Sequence, residues 1–146
     1  MKCRIEVDQT LSEDEVVIFA TELDKEILDL KERIENDSPQ VLTGFYEDKL
    51  EFINPDGIVR IYANEKKVFA VTMDKLYLLR LPLYKVYERL DKNKFIRISN
   101  SEIINLRKSK NFDLAYIGTI SIEMENGDIC YVSRRTLKKV KEILGI

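Results

Sequence analysis

Hydrophobic and polar positions alternate with two different periods along this chain of 146 residues. Residues 2–8 alternate cleanly, with Cys3, Ile5 and Val7 on one side, which predicts a half-buried strand. Residues 15–20 predict a second. Thr21 then stands as the N-cap of a helix, with Asp24 three residues on as its capping-box partner. Leu23, Ile27, Leu30 and Ile34 follow at the spacing of one apolar stripe, and the run Asn36 to Pro39 ends it. From residue 41 the two-residue period returns. Segments 41–46, 50–53, 58–62, 68–72 and 76–81 are rich in β-branched and aromatic side chains. Turn chemistry at 47–49, 55–57, 64–67 and 73–75 separates them. Pro82 opens a helix over 83–90, 95–98 is a further strand, and 101–106 continues extended or bent. Residues 117–124 and 128–132 flank Asn126-Gly127, a strong hairpin signal. Ser133 as N-cap and Gly145 as C′ residue bound a last helix. The sum is a mainly β (α+β) chain with short peripheral helices. An N-terminal β-β-α extension (1–45) precedes a larger domain (46–146).

Charge changes that picture. The net of −2 conceals a division: residues 1–57 carry 6 Lys and Arg against 16 Asp and Glu, and residues 58–146 carry 18 against 10. The basic part can meet phosphate and the acidic part cannot. The other reading is two halves that pair with each other. Hydrophobic residues make up 45% of the chain, enough for a real core. No apolar run approaches the ~20 residues of a membrane span, and the N-terminus lacks a signal-peptide pattern. Cys3 and Cys130 each fall in a strand-like run, as small apolar residues in a reducing cytoplasm would.

The sequence argues against catalysis. There is no histidine, so imidazole acid–base work and imidazole metal sites are excluded. No glycine-rich phosphate loop occurs, and Glu123 and Glu125 alternate with apolar residues as a solvated strand face does. No enzyme, cofactor or metal is expected. Cations and amides instead gather where the chain reverses. Asn64, Lys66 and Lys67 lie between two strands, and Arg97, Ser99, Asn100 and Ser101 lie at a strand end. Arg107, Lys108 and Lys110 form a further cationic cluster. Each can be an ordinary solvated turn, although Asn can bond adenine bidentately and hydroxyls can hold phosphate. The terminal helix departs further from the ordinary. Arg134 and Arg135 fall in its expected first turn, where the dipole disfavours cations. With Lys138, Lys139 and Lys141 they occupy an arc of about 160° at 100° per residue. A polyanion docked there would offset the cost.

These residues resemble a known family. The run Phe95-Ile-Arg-Ile-Ser-Asn-Ser-Glu-Ile-Ile-Asn-Leu106 is followed by Gly118-Thr-Ile-Ser-Ile, Asn126-Gly127 and Tyr131-Val-Ser-Arg-Arg-Thr-Leu-Lys-Lys139. Together they resemble the LytTR DNA-binding domain, the output domain of many bacterial response regulators. The resemblance covers about residues 46–146. The segment before it is similar to the extension of stand-alone regulators that lack a receiver domain. It implies an elongated antiparallel β fold that inserts loops into successive major grooves of a direct-repeat double-stranded DNA site. By position, Asn100, Arg135 and the loop with Asn64, Lys66 and Lys67 are implied to read bases, with Ser99 beside them. Ser101, Arg134, Thr136 and Lys138 are implied to hold the backbone, joined by Arg97, Arg107, Lys108 and Lys139. Relatives commonly carry His-Arg-Ser-Tyr or His-Asn-Ser-Phe where this chain has Ser99-Asn100-Ser101-Glu102, so an acid stands beside the implied groove.

The expectation is a cytoplasmic, sequence-specific transcriptional regulator with no small-molecule substrate. The extension is assigned to homodimerisation or to a regulatory partner, and the resemblance implies a small membrane protein as inhibitor. Two rivals are a protein-interaction module whose basic face meets an acidic protein and a non-specific single-strand binder. The second would need exposed aromatic platforms.

Overall fold

The computed structural model describes residues 1–35 and 41–146. The chain divides into two units, Met1–Pro39 and Gln40–Ile146.

In the first unit, helix α1 spans Lys25–Glu35. Its cap is Asp24, whose carboxylate accepts the Ile27 amide at 2.9 Å, so the helix starts three residues later than a Thr21 cap would set it. No residue of α1 is buried. The two expected strands do not form: residues 1–20 carry no ladder, and Ile5 and Val7 are 91% and 88% exposed. Alternation says which face a strand would bury. It supplies neither a neighbouring edge for the backbone N–H and C=O groups nor a layer to cover that face. Cys3, expected in a strand, is likewise exposed. The expected stop at Asn36 to Pro39 lies outside the described residues.

The second unit holds two antiparallel sheets. The larger is built of β1 Leu42–Tyr46, β2 Lys49–Ile53, β3 Ile58–Asn64, β4 Lys67–Thr72, β5 Leu76–Leu79, β6 Phe95–Ser99 and β7 Glu102–Asn105, in the order β2-β1-β5-β4-β3-β7-β6. The smaller comprises β8 Ser109–Asp113, β9 Ser121–Met124 and β10 Ile129–Tyr131, with β9 central. Helices α2 Leu83–Glu88 and α3 Leu137–Leu144 complete it. β1 begins before residue 46, so the sheet takes in residues that the sequence placed in the extension.

Both faces of the large sheet are buried in part. One packs Ile58, Ile61, Tyr77, Phe95 and Ile103 against Leu83 and Val86 of α2. The other packs Val59, Ile96, Ile98 and Ile104 against Ile122, Met124 and Cys130 of the small sheet and Val140 of α3. Two bulges sort side chains between these cores. At the second, Arg97 pairs with Ile103 and Ser99 with Glu102, so Ile98 is the extra residue on the bulged strand.

Three further departures have local causes. β8 carries one large apolar residue, Phe112, and its sequence gives no period to detect. Ile117, expected in a strand, is fully exposed ahead of β9. Helix α3 starts at Leu137, so Arg134 and Arg135 stand in a turn ahead of the helix, closed by the Thr136 amide on the Ser133 carbonyl at 3.1 Å. The premise that they oppose the dipole from within the first helical turn therefore fails.

Candidate nucleic-acid interface

Three turns meet at one end of the large sheet. The β3–β4 hairpin closes at Asn64 and Lys67 through Glu65-Lys66, and the β6–β7 hairpin closes at Ser99 and Glu102 through Asn100-Ser101. Tyr62 pairs with Glu102, which makes the two hairpins neighbours. The Ala63 amide ties them by donating to the Ser101 carbonyl at 2.8 Å. The third turn follows β10. The Ser133 amide donates to the Ile98 carbonyl at 2.9 Å, and the Thr136 hydroxyl donates to the same oxygen at 2.5 Å.

The central turn is held at every step. Besides the Ile98 and Ser101 carbonyls, the Ser99 carbonyl accepts Arg97 Nε at 3.2 Å and the Asn100 carbonyl accepts Arg97 Nη2 at 2.6 Å. The Ser101 amide donates to Ser99 Oγ at 3.2 Å. Four consecutive carbonyls thus have donors, while the exposed Asn100 side chain has no hydrogen-bond partner among the described residues. A fixed backbone presenting an unengaged amide suits recognition, because little ordering is left for binding to supply.

The β3–β4 turn is strained. Glu65 and Lys66 have φ of 50° and 65°, the left-handed region that costs non-glycine residues about 1–2 kcal/mol each. Two positive-φ residues match the twist of a two-residue hairpin, and here they put Lys66 at its tip. Lys66, Lys67, Arg134, Arg135, Lys138 and Lys139 are all exposed. None has a carboxylate within ion-pair distance among the described residues. Elsewhere in this unit Lys75, Lys94, Lys108 and Lys110 pair with Glu51, Asp56, Glu125 and Glu123.

Several sequence assignments change. Arg107 and Lys108 lie at the far end of the sheet, beyond Asn105, whose amide donates to the Ile58 carbonyl at the start of β3. The length of β3 separates them from Asn64, about 20 Å at 3.3 Å per residue. They do not join the three turns. Thr136 has neither donor free for a phosphate. Its amide bonds Ser133, its hydroxyl proton goes to Ile98, and Ser133 Oγ at 2.8 Å therefore donates to it. Arg97 directs two of its five N–H groups inward, so its first task is to hold the turn. Asn64, Lys66, Lys67, Ser99, Asn100, Ser101, Arg134 and Arg135 share the ridge of the three turns, and Lys138 and Lys139 follow on α3.

The acid noted beside the turn is also engaged. Glu102 accepts Arg60 Nη1 at 2.7 Å, and Arg60 Nε donates to Asp128 in the β9–β10 turn of the small sheet at 2.9 Å. Burial works against the Arg60 charge, but its bonds to Glu102 and Asp128 outweigh that and hold the guanidinium above its ordinary pKa. Burial would raise Asp128; the bonds from Asn126 and Arg60 hold it below the usual carboxylate range. Burial, with Glu102 adding to it, pushes the nearby Cys130 thiol up to about 12, so it stays protonated and unreactive. This link between sheets was not foreseen. Its sole sequence signal is an arginine amid β3's apolar residues.

A β-rich unit that gathers turns bearing amides and exposed cations at one sheet end has the chemistry to meet a polyanion. The family follows from comparison: residues 48–145 match the LytTr DNA-binding domain model, and the chain belongs to the LytTR family. Relatives from Staphylococcus aureus strains NCTC 8325 and COL are 28% identical over 147 residues, covering 100% of this chain and 99% of theirs. They bear the name uncharacterized HTH-type transcriptional regulator. In this chain no two described helices are consecutive, so no helix-turn-helix is formed among the described residues. A solved LytTr DNA-binding domain, from a protein described as a methyl-accepting/DNA response regulator of Bacillus cereus, shares the fold. Its TM-score is 0.69 at 23% identity, over 73% of this chain and 97% of that one. Among the described residues no helix is long and apolar enough to cross a membrane.

Proposed function

We propose that this protein regulates transcription in the bacterial cytoplasm by binding double-stranded DNA at a specific sequence. The ridge of the β3–β4, β6–β7 and Ser133–Thr136 turns enters the major groove. Asn64, Lys66, Lys67, Ser99, Asn100 and Arg135 read base edges in successive grooves. Ser101, Arg134, Lys138, Lys139 and the remaining N–H groups of Arg97 hold phosphates. The observation that carries this reading is the convergence of three chain-distant turns, linked backbone to backbone, in a chain of the LytTR family. A mobility-shift assay on the chain's own promoter, run at two salt concentrations against random competitor, tests it. Each phosphate neutralised should contribute about −0.9 to the log–log salt slope. A flat salt dependence, or equal affinity for promoter and competitor, sinks it, and the first result favours an acidic protein partner.

The first unit we assign to self-association on a direct-repeat site or to a regulatory partner, the implied membrane protein among them. Support comes from α1, whose apolar positions Ile27, Leu30 and Ile34, with Leu23 ahead of the helix, include no buried residue. Ile27→Glu with Leu30→Glu in the full chain should convert a dimer to monomer in sedimentation. A monomeric parent protein would remove the dimer assignment.

A further inference from the structure

We infer that Thr136 is a positioning residue that fixes the separation of Asn100 and Arg135, and so determines which pair of base positions the protein reads together. The inference rests on the DNA-binding reading and adds to it a source of specificity that never touches DNA. The bulge at Ile98 takes its carbonyl out of register with the β7 ladder, and that oxygen then accepts both Ser133 N and Thr136 Oγ1. Asn100 is two residues beyond Ile98, and Arg135 is one residue before Thr136. The two proposed readers, 35 positions apart in the chain, therefore hang from a single oxygen.

Thr136 joins more than two loops. Its carbonyl accepts the Val140 amide at 2.9 Å and so starts α3, whose Val140 is buried in the second core. Its hydroxyl also accepts from Ser133 Oγ. A threonine suits this place because the branched side chain restricts χ1 and aims the hydroxyl. A side chain that only packed would hold the turn without setting its distance from Ile98.

Thr136→Val keeps the shape and deletes the hydroxyl, Thr136→Ser keeps the hydroxyl, and Ser133→Ala removes the supporting donor. In the full chain, Thr136→Val should bind its promoter site about tenfold more weakly, corresponding to 1.4 kcal/mol. Affinity for random DNA and the salt slope should be unchanged, and Thr136→Ser should lie within about threefold of the parent, under 0.7 kcal/mol. Ser133→Ala should fall between them. Amide spectra of the DNA-free protein supply a second readout: Thr136→Val should move the resonances of Ser99–Ser101 as well as those of residues 133–137. Equal weakening on promoter and random DNA with a shallower salt slope would make Thr136 a phosphate contact and overturn the inference. So would unchanged promoter affinity, or spectral changes confined to residues 133–137. Failure of the parent protein to shift its promoter would instead remove the DNA reading, while the spectra still decide the coupling.

Discussion

Arg107-Lys108 and Arg134-Arg135 are two dibasic pairs of the same kind. Each lies just past a strand, in a tight turn, after a residue able to cap it. The fold gives them opposite surroundings. The first follows Asn105, which is buried and bonds the Ile58 carbonyl and the Arg107 amide, and Lys108 faces Glu125 at 3.9 Å. The second hangs from the Ile98 carbonyl beside two other turns, exposed and without an acid partner among the described residues. What a surface cation does is decided by which strands bring it neighbours, and that is a property of topology. In the first pair Glu125 answers Lys108 and leaves Arg107 exposed, whereas in the second neither arginine has an acid among the described residues.

The strongest way to break this contrast is at Asn105. Alanine there leaves a buried carbonyl without its donor and removes the cap on Arg107, at about 1–3 kcal/mol for each orphaned group. Thermal melting should show a loss of several degrees, and the remaining folded protein should keep its preference for promoter over random DNA. Loss of that preference at full folding would mean the far end of the sheet takes part in recognition.

Arg135→Ala against Arg107→Ala tests the contrast directly. Arg135→Ala should cost roughly 1–3 kcal/mol on the promoter site and relax specificity. Arg107→Ala should change binding by no more than a few tenths of a kcal/mol, the scale of an unengaged surface residue. Competition titrations on both DNAs measure it. Comparable losses for the two variants would place both pairs on DNA and dissolve the distinction.

Legibility followed period and partner. Strands β1 and β3 to β6 announce themselves by their apolar residues because each has one or both faces in a core. β2 alternates too, yet its Leu50 and Phe52 stay exposed and only Ile53 is buried, while β7 shows adjacent Ile103 and Ile104, one for each core. β8 does not announce itself, because it is an edge strand held by β9 with only Phe112 turned to apolar neighbours. Residues 2–8 alternate as well as any of them and form nothing, since pairing and coverage come from elsewhere in the chain. In the site, turn chemistry and charge marked three loops that the fold brings together and a fourth cluster, at Arg107 and Lys108, that it does not. The role of Thr136 and the link from Arg60 to Glu102 and Asp128 depend on contacts 38, 42 and 68 positions apart. Nothing local encodes those separations.

Two hairpins offer a finer comparison of the same kind. Glu47-Asp48 and Glu65-Lys66 share one backbone conformation, with φ of 49° and 63° in the first and 50° and 65° in the second. Glycine relieves a positive φ, so Asp48→Gly and Lys66→Gly should each stabilise the protein by about 1 kcal/mol in denaturant unfolding. Their effects on DNA should differ: Asp48→Gly should leave promoter binding unchanged, and Lys66→Gly should weaken it by several-fold. Equal binding by the two would show that the strained β3–β4 tip is a folding feature alone.

The smallest expected effect separates charge from reading. Lys138 is exposed on α3 without an acid partner among the described residues, and Lys108 is paired with Glu125. If Lys138 neutralises one phosphate, Lys138→Ala should make the log–log salt slope shallower by about 0.9, equally on promoter and random DNA. Between 50 and 200 mM salt that amounts to roughly a 3.5-fold smaller loss of affinity. Lys108→Ala should leave the slope where it was, because its charge is answered within the fold and stands a strand's length from the ridge. A slope that moves for Lys108 and stays for Lys138 would reverse the two ends of the sheet, and the DNA would have to be docked along the other one.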